Sequence, residues 1–234
     1  MAVCVMQSDA GNPVRRSHSN AMSNKTSFLT AHLETLRIQR WDDHRYYHHS
    51  RINQSLHLLS ATCFLVSYAL LFIDPAWAAL VAWGVSMTSR QAGHFFFEPK
   101  GYDHVNQATH DHKEDIKVGY NLRRKVVLMS LWASVPVVLF LSPDFLGLMR
   151  PWSGWTGYLH QLGILWLWVG VGGALFRTFH LFFLQGVMTG VVWLTKIVTD
   201  PVHDILLYWR SPLALLRGEW IDPMLHAHHP PPSH

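Results

Sequence analysis

Two segments of this chain have the residue types and spacing of a metal site. The first is Tyr46-Tyr47-His48-His49-Ser50-Arg51-Ile52-Asn53-Gln54-Ser55-Leu56-His57. The second is Arg90-Gln91-Ala92-Gly93-His94-Phe95-Phe96-Phe97-Glu98-Pro99, with His104, His110 and His112 after it. Helical residues four apart share a face. His44 with His48, Asn53 with His57, and His94 with Glu98 are therefore same-face pairs. Imidazole with carboxylate suits iron, zinc, copper or nickel, whereas magnesium or calcium would want mostly oxygen. The candidate ligands are His48, His57 and His94, with Glu98 beside them. Their alternative is a structural polar network. His110-Asp111-His112 reads equally as further ligands or as a solvated loop, and Phe95-Phe96-Phe97 as lipid-facing packing or an acyl-channel lining. A lone histidine near a membrane interface is more often a headgroup contact, so His160, His180 and His203 stay unassigned.

The composition says what must position these residues. The 234 residues are 49% hydrophobic and 15% charged, well below the roughly 25% charge of soluble domains. The 17 histidines stand out, because metal sites and proton relays are two physical reasons to concentrate imidazole. Cys4 and Cys63 cannot build a disulfide framework. The net charge of +4, without a basic stripe interleaved with exposed aromatics, gives no case for nucleic acid and points instead to a lipid surface.

The apolar residues fall into runs of membrane-spanning character. Leu56 to Ile73 carries no charge and is long enough for a short span. Asp74-Pro75 breaks it, and Ala76 to Thr88 completes a helical hairpin, with Trp77 and Trp83 suited to an interface. Val126 to Leu141 is a third span. Leu159 to Val198 is too long for one ordinary span and is expected to divide in two, the second segment tilted or re-entrant. Thr30 to about Asn53 reads as a membrane-surface helix, with Arg37, Arg40, Arg45 and Arg51 facing phosphates. The expected fold class is all-α, a multi-pass transmembrane helical bundle of about 4–5 membrane segments with an N-terminal interfacial helix. The expected division is a disordered tail over 1–25, a membrane helical domain with the His-rich site over 26–200, and an interfacial segment with a disordered His/Pro tail over 201–234. No signal peptide is expected, since no adequate apolar run follows Arg15-Arg16. Lys and Arg gather before the first span and between Arg90 and Lys125, which puts both His segments on the cytoplasmic face of an integral membrane protein.

Tyr-His-His-x-x-x-Asn-x-x-x-His at Tyr47–His57 and Gly-His-x-x-Phe-Glu at Gly93–Glu98 resemble the two signatures of the membrane 2-hydroxy fatty acid dioxygenases. The resemblance covers about Tyr46 to Lys100, a quarter of the chain. It departs from the family at Arg51-Ile52, where a proline shortly before the motif Asn is common, and after the Glu motif, where the common Pro-Ala is replaced by Pro99-Lys100-Gly101-Tyr102. The resemblance implies an Fe(II)-dependent oxidoreductase of lipid metabolism that uses O₂ to cleave C1–C2 of a 2-hydroxy fatty acid or related long-chain lipid. It implies His48, His57 and His94 as iron ligands, completed or supported by Glu98 or by His110 and His112. Asn53 would then orient a ligand or the substrate, and Arg51 or Arg90 would pair with its carboxylate. Two rivals stand beside it. A di-iron membrane hydroxylase or desaturase would carry several His boxes, of which only His44-x-x-x-His48-His49 is a close candidate. A non-catalytic metal- or lipid-binding membrane protein would tolerate loss of His57 and His94 without losing an activity.

Overall fold

The computed structural model describes residues 28–98, 101–104, 106–119 and 122–224, with only the backbone of Leu122. The tail expected over 1–25 and the His/Pro tail after 224 lie outside the described residues. The described residues are all-helical, with isolated bridges at Ser50–Ile221 and Asp103–Ala108.

Helix α1 spans Phe28–Tyr47 and α2 spans Arg51–Leu70. The single helix expected from Thr30 to Asn53 is thus two, because Ser50 takes extended backbone and its Oγ accepts from Asn53 N. His48, His49 and Ser50 form the joint. After the turn at 71–74, Asp74 caps α3 (Pro75–Val81) by accepting from Ala76 N and Trp77 N. The chain then stays helical through a π-helical segment (Ala82–Met87), α4 (Thr88–Ala92) and a second π-helical segment (Gly93–Phe97). The second π turn carries His94, and such turns gather at functional sites because they rotate side chains out of α-helical register. Short α5 (His110–Ile116) precedes α6 (Leu122–Leu141), α7 (Gly154–Gln185), α8 (Val187–Tyr208) and α9 (Ser211–Leu216).

Helix α2 lies centrally, packed on α3, α4, α8 and α9, while α7 joins α3, α6 and α8. One apolar core gathers Ala79 and Trp83 with Val135, Leu139, Tyr158, Leu162 and Trp166. Trp83, expected at an interface, is buried there and stacks on Trp132. Pro136 supplies no N–H to the Trp132 carbonyl one turn back, and the Trp166 indole N–H donates to that oxygen at 3.0 Å. A helix-breaking residue is thereby absorbed without an orphaned acceptor.

The expected division of Leu159–Val198 falls at Gly186, whose φ of +93° suits glycine, and not at the Gly170–Gly173 cluster inside α7. Among the described residues, two helices, Arg123–Leu141 and Gly154–Gln185, are long and apolar enough to cross a membrane. The others interrupt their apolar runs with buried polar groups, such as Asn53, His57, Ser60 and Ser67 on α2. On α6 and α7 many apolar side chains point outward, including Val127, Leu141, Trp168, Phe176 and Phe183. The expected boundary at 200 falls inside α8, which runs unbroken to Tyr208.

The arginines expected to face phosphates are engaged within the protein. Arg37 pairs with Glu34, Arg45 with Asp42, Arg40 with Asp200 at 3.1 Å, and Arg51 with Asp222 at 2.9 Å. Lys196 of α8 meets Asp43 of α1 as well as Asp200. These ion pairs make α1 a docked part of the bundle, packed on α8.

Candidate metal centre

His48 comes from the α1–α2 joint, His57 from the second turn of α2, and His94 from the π turn after α4. Their donor nitrogens lie within 4.8 Å of one another, and the three can hold a metal ion. Ring centroids are 4.2 Å apart for His48 and His57, 4.9 Å for His57 and His94, and 5.4 Å for His48 and His94. No second such group occurs among the described residues.

Gly93 is what lets the two segments meet. A Cβ there would fall 2.2 Å from Asn53 Oδ1 and 3.6 Å from the His57 ring, so any side chain would push the π turn off α2. Asn53 lies beneath this contact, its Nδ2 donating to the Tyr47 carbonyl at 2.9 Å. That bond ties α2 to the end of α1 and so fixes the joint carrying His48. Asn53 thus holds backbone, and no bond links it to an imidazole.

Each imidazole has a partner near its Nδ1. His94 Nδ1 lies 2.7 Å from Glu98 Oε2. His48 Nδ1 lies 2.9 Å from the Tyr208 hydroxyl, whose other neighbour is His44 Nδ1 at 3.0 Å. Both contacts are satisfied when His48 Nδ1–H donates to the Tyr208 oxygen and the Tyr208 O–H donates to His44 Nδ1. His48 Nε2 then keeps its lone pair. His57 Nδ1 faces Asp204 Oδ2 at 3.6 Å, just beyond hydrogen-bond reach. The Nε2 atoms of His48 and His57 are buried with no hydrogen-bond partner. Buried polar nitrogens are seldom left so. Clustered imidazoles with orphaned buried nitrogens, two of them with an Nδ1 held by a carboxylate or hydroxyl, suit a metal-binding set.

Electrostatics favours the ligand form. Burial holds the His48 imidazole well below its ordinary 6.5, and the neighbouring His57, His44 and Arg90 add to the effect. Burial likewise depresses His94, followed by the charge of Lys125. Burial works against the charge of Asp204, but Arg90, 3.1 Å away, and then His57 hold its carboxyl below the usual range. Neutral imidazoles beside an ionised carboxylate are ready for a cation.

A pH dependence follows. The folded pKa of His48 and of His94 lies below the unfolded value near 6.5, so below that pH the unfolded chain binds more protons. Stability from these groups is present above 6.5 and lost as pH falls below it. Thermal unfolding of metal-free protein in detergent is expected to show a falling Tm between about pH 7.5 and about pH 5.5, above the range where carboxylates titrate. A His48→Gln/His94→Gln variant should flatten that slope, and an unchanged slope would show that other groups cause it.

Beside the cluster is a cavity of about 240 Å³, lined by His48 and His94 together with Phe64, Tyr68, Met87, Leu128, Met129, Trp193 and Ile197. Its polar lining includes Arg90, Lys117, Lys125, Lys196 and Asp43. Arg177, buried on α7, donates to the carbonyls of Val118 at 2.5 Å and Gly119 at 3.2 Å, holding that stretch of wall in place.

No protein-family model matches the chain, and no match emerges among curated proteins or solved structures. Its own geometry therefore carries the functional reading.

The remaining sequence candidates fall at different places. Glu98 is the outer partner of His94, and its Oε1 lies 3.5 Å from Lys117 Nζ. His110 and His112, on α5, are outside the three-histidine group, although His110 shares a small adjoining cavity with His94 and Glu98. Arg90 lines the main cavity, committed to Asp204. Arg51 is not brought to it, being held by Asp222 and by Gln54 at 2.9 Å. The residues missed by sequence reasoning are Asp204 and Tyr208. Their signal was present, since Lys196, Asp200, Asp204 and Tyr208 repeat every fourth residue along α8.

Proposed function

We propose that this chain is a membrane-embedded Fe(II)-dependent dioxygenase that removes C1 from 2-hydroxy fatty acids or a related lipid acid. The observation that carries the reading is the set of three clustered imidazoles, of which His48 and His94 have a hydroxyl or carboxylate at Nδ1 and line a largely apolar cavity, while His57 faces Asp204 at 3.6 Å. Three protein donors leave open positions, as oxygen chemistry with a chelating substrate requires. The paired motifs at Tyr47–His57 and Gly93–Glu98 narrow the metal to iron and the substrate to a 2-hydroxy acid by resemblance.

Iron, when bound by His48, His57 and His94, would supply the redox chemistry that lets O₂ react with a closed-shell organic acid. The chain's own residues do the rest. Glu98 and Tyr208 orient the His94 and His48 imidazoles through Nδ1, and the Asp204 carboxylate faces His57 Nδ1 at 3.6 Å. Phe64 of α2, Leu128 and Met129 of α6, and Trp193 and Ile197 of α8 offer an acyl chain an apolar surface between three helices. That surface also excludes water from the reacting end. The sum 2-hydroxy acid plus O₂ gives the acid one carbon shorter, carbon dioxide and water, so the substrate supplies all the electrons.

Outward-facing apolar residues on α6 and α7 support residence in a bilayer, because a soluble surface rarely exposes contiguous apolar patches beyond a few hundred Å². The cations before α2 and between Arg90 and Lys125 would then put the centre on the cytoplasmic side.

The test is O₂ uptake by detergent-purified, iron-loaded protein given a long-chain 2-hydroxy acid, with products read by mass spectrometry. One O₂ consumed per acid shortened by one carbon is expected, with the unsubstituted acid inert. Iron-loaded protein that consumes no O₂ with 2-hydroxy acids would overturn the reading. Two irons per chain would favour a hydroxylase-like enzyme.

A further inference from the structure

The polar wall of the cavity contains four cations, Arg90, Lys117, Lys125 and Lys196. Three are committed to carboxylates of the protein. Arg90 pairs with Asp204 at 3.1 Å, Lys196 with Asp200 at 3.0 Å and also with Asp43, and Lys117 with Glu114 at 3.1 Å and Glu98 at 3.5 Å. Lys125 forms no ion pair or hydrogen bond among the described residues. The acids that line the smaller adjoining cavity with it, Glu98 and Glu114, are already engaged, Glu98 by both His94 and Lys117, and those of the main cavity, Asp42, Asp43 and Asp200, pair with Arg45, Lys196 and Arg40.

Its position is also electrostatically adverse. Arg123, Arg124 and Lys125 all lie in the first turn of α6, where the helix dipole disfavours positive charge, and that turn has no acid. A half-buried lysine kept there without a counter-ion is matched to an anion from outside the chain. Lys125 lines both the main cavity and the smaller one, and His94 lines both as well. Lys125 therefore shares the walls of both cavities with a histidine of the candidate centre. Arg51 and Arg90, which the sequence suggested for this role, are held by Asp222 and Asp204.

We propose that Lys125 is the anchor for the carboxylate of the acyl substrate, selecting a free lipid acid over its neutral ester or amide. This rests on the reading of the cavity as the acyl site. An ammonium–carboxylate contact in so apolar a setting strengthens acid binding and sets which end of the molecule meets His48 and His94.

The experiment measures binding of a radiolabelled long-chain 2-hydroxy acid and of its methyl ester to full-length protein in detergent, with iron content determined on the same preparations. Wild type should prefer the acid by roughly tenfold or more, as a charge-assisted contact supplies. Lys125→Gln should abolish that preference while ester binding, iron content and thermal unfolding stay as in wild type. Lys125→Arg should restore much of it, which excludes a merely misfolded Gln variant as the cause. An acid preference that survives in Lys125→Gln, or is absent from wild type, overturns the anchor. Protein that holds no iron yet shows a Lys125-dependent acid preference keeps the anchor while the dioxygenase reading falls. Iron-loaded, active protein without that preference does the reverse.

Discussion

On the proposed reading, replacing His57 or His94 by alanine is expected to reduce bound metal from about one ion per chain to near zero, while the protein still inserts in the membrane. His57 is fully buried, and its Nδ1 faces the Asp204 carboxylate at 3.6 Å. His94 is held by Glu98 at 2.7 Å. Removing either imidazole leaves two donors, too few to retain an ion at ordinary chelator concentrations. Insertion should survive because the two helices apolar enough to span, Arg123–Leu141 and Gly154–Gln185, carry neither residue. Elemental analysis of purified single variants and of the His57→Ala/His94→Ala double variant reads this directly. Stoichiometric iron in both single variants would place the metal elsewhere. Wild type that takes up no metal even after anaerobic Fe(II) loading would favour a non-catalytic membrane protein.

Asp204→Asn should show two separable losses. Asp204 faces His57 Nδ1 and also carries the closest ion pair of the part-buried Arg90, whose other carboxylate, Asp200, is 4.0 Å away. Loss of an outer partner of a ligand histidine typically costs about 10–100-fold in metal affinity. Loss of one member of a buried ion pair costs up to about 3–5 kcal/mol, and less here because Asp200 still faces Arg90 at 4.0 Å. The double variant Arg90→Gln/Asp204→Asn separates the two. Without the guanidinium there is no buried charge to orphan, so thermal stability should recover in part. Metal affinity should not, since His57 still lacks its carboxylate. If affinity recovers with stability, Asp204 acts only as the counter-ion of Arg90.

The ligand histidines were legible because their signal is local. His94 and Glu98 are four apart and do hydrogen bond, and the breaking residues Asp74-Pro75 do turn α2 back along α3 and α4 to bring both segments to one end. His57 and Asn53, also four apart, part company, since Asn53 turns to the Tyr47 carbonyl and serves the backbone joint. The helix boundary at His48–Ser50 was missed because the Ser50 cap competes with otherwise continuous helical periodicity. Among the described residues two helices meet the length and apolarity of a span, and the other apolar runs bury polar groups such as Asn53, His57 and Ser60 of α2. In Arg51 and Arg90 the sequence offered two free cations, and the fold used both internally.

Residue type and short-range spacing were enough to establish helices, a helical hairpin and three candidate imidazoles, because those properties depend on periodicity within about two turns. Only the tertiary structure decided what stands behind the imidazoles and which cation is left over. Asp204 and Tyr208 lie about 150 residues beyond His57 and His48 in sequence, and they meet them because α8 packs along α2 in one particular register. A shift of one residue would rotate α8 by roughly 100° and turn both away. No local pattern encodes that register. It is set by the combined packing of α1, α2, α7 and α8 and by the ion pairs of Lys196 and Asp200, which few arrangements satisfy at once.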